Sequence, residues 1–181
     1  MKFIRRRRAL ALTDYRKRLK LLKSGLPRLV VRKSNRSIIA QLVYYAKDGD
    51  IVKLSAISKE LEKYGWIPKA NLPTAYLTGM LIAKKAKAAK IEDEFILDTG
   101  LYTVHKNSFA FALAKGAIDN GLKLRANLSI DEKRVRGEHI AKLLESDKDK
   151  NKLSSYRSKL IDSKTFLKLF DDIKSKLSDK A

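Results

Sequence analysis

Two apolar runs separated by a short polar centre dominate the first third of the chain. The segment RLVVRKSNRSIIAQLVYY occupies residues 28–45. Its β-branched and aromatic side chains favour strands, and Ser34-Asn35-Arg36 is typical of a tight turn. We therefore predict a hairpin with strands at 28–33 and 37–45, and a positive φ at Asn35. The second run is apolar almost without interruption, which is typical of a strand covered on both faces.

Strands and helices alternate after the hairpin. The pattern predicts a third strand at 51–56, a short helix at 57–64 and a buried helix that begins near a capping Asn71. EFILD, residues 94–98, predicts a further strand. A second helix is predicted over 109–119, with Ser108 or Asn107 as its cap and Asn120-Gly121 as its stop signal. This alternation predicts an α/β sandwich with a mixed sheet.

The last third of the chain is more polar. We expect an irregular path at 122–130, a helix at 136–145 and a loose segment at 146–155. Near the C-terminus an apolar stripe recurs every three to four residues, at Phe166, Leu169, Phe170, Ile173 and Leu177. This stripe indicates a helix that docks on its own protein, with a surface for a partner as the alternative. We expect three segments: a basic arm at 1–25, an α/β core at 26–125 and a helical extension at 126–181.

The net charge limits the possible functions of the chain more than the rest of its composition does. The 181 residues carry 41 Lys and Arg against 20 Asp and Glu, a net charge of +21. Residues 1–36 alone hold 14 of those cations and one acid, Asp14. Such a field attracts nucleic acid or an anionic membrane. An Arg-rich, acid-poor N-terminus is also typical of organelle transit peptides, although no change of composition marks a cleavage point.

Candidate chemistry is sparse. The chain has no cysteine, which excludes disulfides, thiolate metal sites and thiol catalysis, and no apolar run is long enough to span a bilayer. His105 and His139 lie far apart without ligand-spaced companions. The acids at 92–94 and Asp98 fit a solvated sheet edge better than a metal site. Phosphate-loop and dinucleotide-binding motifs are absent. We therefore predict no catalytic residue, no metal site and no cofactor.

The cations are better suited to binding. Arginine forms bidentate pairs with phosphate and stacks on bases, and two arginine clusters lie at residues 5–8 and 16–18 beside Tyr15. The predicted hairpin presents a second set of cations, held by two strands beside Ser34 and Asn35. This tip is suited to bind the phosphate and sugar groups of a polyanion.

The motifs also resemble a known family. "RRRR…LTDYRKRLKLLKSGLPRLVVRKSNRSIIAQLV" is similar to the amino-terminal part of the eighteenth large-subunit ribosomal protein family, in its archaeal and eukaryotic branch. The similarity continues through YGWIPKANLPTAYLTGMLIAKKA, ILDTGL, FAFALAKGAIDNGL and RVRGEHIAKLL, and covers roughly residues 1–145. After Gly121-Leu122 the sequence KLRANL stands where the family usually shows a proline-histidine step, and the extension from 146 has no matching motif.

The resemblance implies a fold, a function and partners. It implies a three-layer α/β/α sandwich with a mixed sheet, related in outline to ribonuclease H without its active-site acids, and close-packing glycines at 79 and 116. The implied function is to bind 5S ribosomal RNA and to anchor it to large-subunit RNA in the central protuberance of cytoplasmic ribosomes. Neighbouring ribosomal proteins are further partners, and neither a membrane nor a homo-oligomer is implied.

By the same resemblance, RNA-binding roles fall on two groups of residues. The arm and hairpin contribute Arg5, Arg6, Arg7, Arg8, Tyr15, Arg16, Lys17, Arg18, Arg32, Lys33, Ser34, Asn35 and Arg36. Weaker matches are Gln41 and Lys106, and Arg134 and Arg136 of the RVRGEH motif are expected to touch RNA or a neighbouring protein. Two other functions remain as alternatives: a metal-dependent nuclease of ribonuclease H-like fold, and a peripheral membrane protein held by its basic arm.

Overall fold

A five-stranded mixed sheet forms the centre of the protein. The computed structural model describes residues 6–145, 156 and 162–178. The strands are β1 (Arg28–Lys33), β2 (Ile38–Ala46), β3 (Gly49–Ile57), β4 (Phe95–Asp98) and β5 (Leu124–Arg125), and they lie in the order β3-β2-β1-β4-β5. The first three are antiparallel neighbours, whereas β4 runs parallel to β1 and β5 runs parallel to β4. This arrangement confirms the predicted mixed sheet.

Seven helices flank the sheet within the described residues. They are α1 (Arg6–Ala9), α2 (Tyr15–Leu22), α3 (Leu72–Ala88), α4 (Phe109–Asp119), α5 (Glu132–Arg136), α6 (Glu138–Glu145) and α7 (Ser163–Ser178), with an additional 3-10 helix at Ser58–Tyr64. The predicted caps are confirmed. Asn71 Oδ1 accepts a hydrogen bond from the Thr74 N–H at 3.1 Å, and Ser108 Oγ accepts one from the Phe111 N–H at 3.4 Å.

The two faces of the sheet differ in chemistry. Side chains alternate between faces along a strand, so Leu29 and Val31 join the main core against α3, together with Ile38, Ala40 and Leu42 of β2. The opposite face carries Arg28, Val30, Arg32, Gln41 and Val43, and α2 lies across part of it. We call these five residues the open face. Helices on both sides of the sheet confirm the α/β sandwich.

Two glycines let α3 and α4 approach each other closely. A Cβ atom added to Gly79 would lie 2.0 Å from Leu113 O, and one added to Gly116 would lie 2.1 Å from Tyr76 O. Both contacts are to backbone atoms, which cannot rotate away. The structure therefore supports the close-packing role expected for both glycines.

The terminal helix α7 completes the core. The ring of Phe166 packs 5.3 Å from that of Trp66, and the ring of Phe170 packs 5.8 Å from that of Tyr76, measured between centroids. At the other end of α7, Asn120 Nδ2 donates hydrogen bonds to Met80 O at 2.8 Å and to Leu177 O at 3.2 Å. The apolar stripe thus docks on its own protein, as predicted.

The structure differs from the sequence-based predictions at several points. The prediction of a positive φ at Asn35 is wrong: the turn is closed by hydrogen bonds between Ser34 and Ser37 without a left-handed residue. The stretch 122–130, predicted to be irregular, contains the short strand β5, which is recognisable only by its pairing with β4. The helix predicted over 136–145 is interrupted at Gly137, whose φ is 90°. The segment at 146–155, predicted to be loose, lies outside the described residues.

Candidate nucleic-acid interface

Helix α2 is the longer of the two helices described in the basic arm. Asp14, the one acid among residues 1–36, caps it by accepting the Arg16 and Lys17 N–H groups, each at 3.0 Å. Lys17 Nζ donates to Thr99 Oγ1 at 3.0 Å and to Gly100 O at 2.9 Å. Arg18 pairs with the carboxylate of Asp50 on β3. Lys17 and Arg18, both predicted to contact RNA, therefore attach α2 to the sheet and to the loop after β4.

A row of alternating charges crosses the open face. Arg18 Nη1 lies 2.9 Å from Asp50 Oδ2, and Arg28 Nη2 lies 2.7 Å from that same oxygen. Arg28 Nη1 then lies 3.0 Å from Asp98 Oδ2, and Arg32 Nη2 lies 3.6 Å from Asp98 Oδ1. We call these five residues the charge ladder. It joins α2, β3, β1 and β4 through a chain of ion pairs.

The charge ladder sets the ionisation of Asp50. Partial burial would raise the pKa of this carboxyl, but the guanidinium groups of Arg28 and Arg18 outweigh burial, and they lower the pKa below its ordinary value. Arg28 itself is almost fully buried, with 4% of its side chain exposed. Sequence reasoning missed Arg28 as part of the site. The available signal was a charged residue at the first position of an apolar strand.

The hairpin tip is closed by two serines. Ser34 N donates to Ser37 O at 2.8 Å, and Ser34 Oγ accepts the Ser37 N–H at 3.0 Å. Ser34 is thus occupied within the turn, whereas Asn35 and Arg36 are exposed at its apex. Among the described residues, none forms an ion pair with Arg36. The tip therefore presents one guanidinium and one amide to solvent from a rigid support.

The loop after β4 joins the arm to the hairpin. Gly100 accepts the Lys17 ammonium at its carbonyl, and a Cβ atom added to it would lie 2.9 Å from Arg32 Cζ. Tyr102 Oη donates to Lys33 O at 2.5 Å, and its ring packs 5.1 Å from that of Phe109. We call this meeting of Lys17, Arg32, Gly100 and Tyr102 the Gly100 junction. It brings arm and hairpin cations to one side of the molecule.

The remaining predicted residues are dispersed. Arg5 lies outside the described residues, and the side chains of Arg7 and Arg8 are not described either. Among the others, exposed positions are Arg6, Tyr15, Arg16, Lys106 and Arg134. Lys33 is partly buried, with Nζ 5.6 Å from the centre of the Phe109 ring, and Gln41 lies on the open face beside α2. Arg136 Nη2 pairs with Asp171 Oδ2 of α7 at 2.6 Å, away from the arm.

The acids do not assemble a catalytic centre. Within residues 6–145, 156 and 162–178, no three His, Cys, Asp or Glu side chains are close enough to hold a metal ion. The interpretation of a solvated edge is wrong for Asp98, which is 5% exposed, because the sheet buries it against Arg28. Burial and the charge of Arg134 lower the pKa of His139. None of the described helices is long and apolar enough to cross a bilayer.

Comparisons with known proteins all find similarity to one protein family. Residues 1–95 match the family described as ribosomal large subunit proteins 60S L5 and 50S L18. The chain is 52% identical over 144 residues to the large ribosomal subunit protein uL18 of Halobacterium salinarum, covering 78% of each chain. It is 44% identical over 180 residues to uL18 of Korarchaeum cryptofilum, covering 96% of this chain and 92% of the relative.

Proposed function

Because the chain belongs to the family of ribosomal large-subunit proteins 60S L5 and 50S L18, we propose that it binds 5S ribosomal RNA and anchors it to large-subunit RNA in the central protuberance. Membership of this family by itself supports a general role. The chain is a structural component of the large ribosomal subunit, its partners are ribosomal RNA and neighbouring ribosomal proteins, and it is not an enzyme. We propose in addition that the bound RNA is 5S ribosomal RNA and that side chains of the arm and the hairpin contact it.

The observation that carries the proposal is the Gly100 junction. Lys17 of the arm and Arg32 of β1 meet at a loop that is far from both in sequence, the one that contains Gly100. Their neighbours Arg16 and Arg36 remain exposed on the same two elements. A contiguous set of cations can neutralise successive phosphates of one backbone, and each neutralised phosphate releases counterions and adds to the affinity.

The residues divide into two roles. Lys17 and Arg18 are positioning residues, since their charged groups already bond to the sheet. The side chains suited to touch RNA are the exposed ones of the arm, the strand end and the tip: Arg6, Tyr15, Arg16, Arg32, Asn35 and Arg36. Tyr102, 41% exposed, adds an aromatic surface that sequence reasoning missed. Within the division proposed from sequence, these residues belong to the arm (1–25) and the core (26–125).

The nuclease alternative is weakened by the charge ladder. A two-metal nuclease needs carboxylates that are free to bind cations. Asp98 is the best placed acid of β4, and Arg28 and Arg32 both pair with it. Family membership points the same way.

A binding assay with matched variants tests the proposal. We expect the full chain to bind 5S RNA more tightly than an unrelated duplex, and Arg36→Ala to weaken binding to 5S RNA about tenfold, within the range for one charge-assisted contact. Lys142→Ala removes an exposed cation from α6 and serves as the control, with unchanged affinity expected. Equal affinity of the unaltered chain for both RNAs would contradict the 5S assignment.

A further inference from the structure

A cleft of about 650 Å³ lies between α2 and the open face. Val30, Val43 and Val52 contribute apolar surface from three adjacent strands. Tyr102 and Arg32 also line the cleft, and both are about two-fifths exposed. A space of this size and mixed polarity is in the range of small-ligand sites.

Gln41 is a polar group in this apolar surface. It lies on β2, paired with Val30 of β1 on one side and with Ser55 of β3 on the other, and is partly buried. Its amide makes no hydrogen bond to any residue that the structure describes. An amide has two donor hydrogens and an acceptor oxygen, and a partly buried amide without a protein partner can bind a ligand through all of them. The cleft thus offers an unused donor and acceptor pair beside flat apolar surface.

We infer that this cleft receives one unstacked nucleotide of the bound RNA. The inference rests on the proposed function and extends it to a defined subsite. The valines and Tyr102 give the base an apolar and aromatic surface, Gln41 offers hydrogen bonds to its edge, and Arg32 lies where it can pair with the phosphate. Single-stranded RNA is recognised through splayed bases of this kind, bound by stacking and by hydrogen bonds to their edges.

The charges around the cleft favour an anionic ligand, such as a nucleotide, over a cationic one. Its carboxylates are already engaged: Asp14 caps α2, and Asp50 and Asp98 are held in the charge ladder. Arg32 keeps 44% of its side chain exposed, although it contacts Asp98. An anionic ligand with a planar apolar part therefore matches the cleft in both charge and shape.

Two tryptophan substitutions on neighbouring residues test the inference. Val52 and Ile51 are both 49% exposed on β3, but Val52 lines the cleft and Ile51 does not. We expect Val52→Trp to fill the cleft and weaken 5S RNA binding about tenfold or more, which corresponds to the loss of one stacked base. Ile51→Trp should bind as the unaltered chain does. In chemical probing of the RNA, one base protected by the unaltered chain should become reactive with Val52→Trp but stay protected with Ile51→Trp.

A second variant keeps the test decisive if tryptophan disturbs folding. Gln41→Leu preserves the approximate volume and removes only the amide, and we expect it to weaken binding severalfold and to expose the edge of that same base. If the unaltered chain binds 5S RNA and all three variants bind equally well, the nucleotide cleft is wrong while the proposed function stands. If the unaltered chain fails to bind 5S RNA, the proposed function itself is wrong.

Discussion

Arg28 and Asp98 form a buried ion pair that joins the first strand of the sheet to the fourth. Nη1 and Oδ2 lie 3.0 Å apart, and the two side chains are 4% and 7% exposed. Each charge depends on the other, because a single charge in such a place is strongly unfavourable. The pair makes this carboxylate, at the end of a sheet strand where nucleases bind metals, a structural contact beside the proposed RNA-binding surface.

Removing one partner of this pair should destabilise the protein. We expect Asp98→Ala to lower the free energy of unfolding by about 3 kcal/mol, because the buried Arg28 would keep only its ion pair with the more exposed Asp50. Urea denaturation measures the loss, and Asp172→Ala, at an exposed position of α7, is the control. Incubation of the unaltered chain with Mg²⁺ and labelled RNA should leave the RNA intact. Cleavage that disappears in Asp98→Ala would contradict a purely structural role.

The glycine contact between α3 and α4 makes a second stability prediction. Gly79→Ala should lower the free energy of unfolding by about 3 kcal/mol, since its methyl group would overlap Leu113 O and the helices would have to separate. Gly65→Ala is a matched control, because a Cβ there meets nothing within 4 Å and only the positive φ of 87° is strained. The control should cost about 1–2 kcal/mol. Equal losses would show that the helix contact tolerates a methyl group.

The terminal helix should contribute to stability as a core element does. Phe166 is fully buried against Trp66, so Phe166→Ala should cost about 3–5 kcal/mol in thermal or urea unfolding. Leu143→Ala, at a residue that is 42% exposed, should cost far less. A single cooperative transition is expected for the unaltered chain. Separate melting of residues 163–178 would contradict a shared core.

The charge ladder predicts a specific pH dependence. The folded protein lowers the pKa of Asp50, so its carboxylate stabilises the fold above the unfolded pKa of about 4 and loses that effect as pH falls through the lower, folded value. The difference in unfolding free energy between the unaltered chain and Asp50→Asn should therefore be constant near neutral pH and shrink below about pH 4. A difference that grew on acidification would contradict the sign.

Binding of RNA should depend steeply on salt. If about 6–10 phosphates are neutralised, affinity should fall roughly 10³–10⁵-fold between about 50 and 200 mM salt on the duplex-DNA scale. Arg16→Ala and Arg36→Ala should each reduce the slope by about one unit. Lys142→Ala should leave the slope unchanged. A flat salt profile would exclude the cations as the main source of affinity.

Sequence patterns predicted the elements whose signals are local. The hairpin, the Asn71 cap and the helix at 109–119 follow from side chains close to each other in the chain, and the structure confirms them. Strand β5 has only two residues and forms through its pairing with β4, so no local pattern marks it. The interruption at Gly137 depends on space as well: an added Cβ would lie 2.7 Å from Phe166.

The sequence predicts which basic segments form the candidate site, but not which side chains pair with each other within it. Charge density marks the arm and the hairpin as basic, and the structure places cations of both at the Gly100 junction. The partner of Arg18 is 32 residues away in sequence and that of Arg28 is 70 away, so their pairing was not readable. These pairs show that Arg18 and Arg28 hold the site together, which leaves exposed cations such as Arg16 and Arg36 for the proposed contacts with RNA.

The hydrogen bonds of Asn120 have a consequence for the synthesis of this protein. One amide holds both Met80 of the central helix and Leu177 of the last one, so the interior closes only after residue 177 has been made. Until then Trp66 and Tyr76 lack the aromatic rings that cover them. The nascent chain therefore exposes apolar surface beside its strongly cationic arm until the last helix has been synthesised.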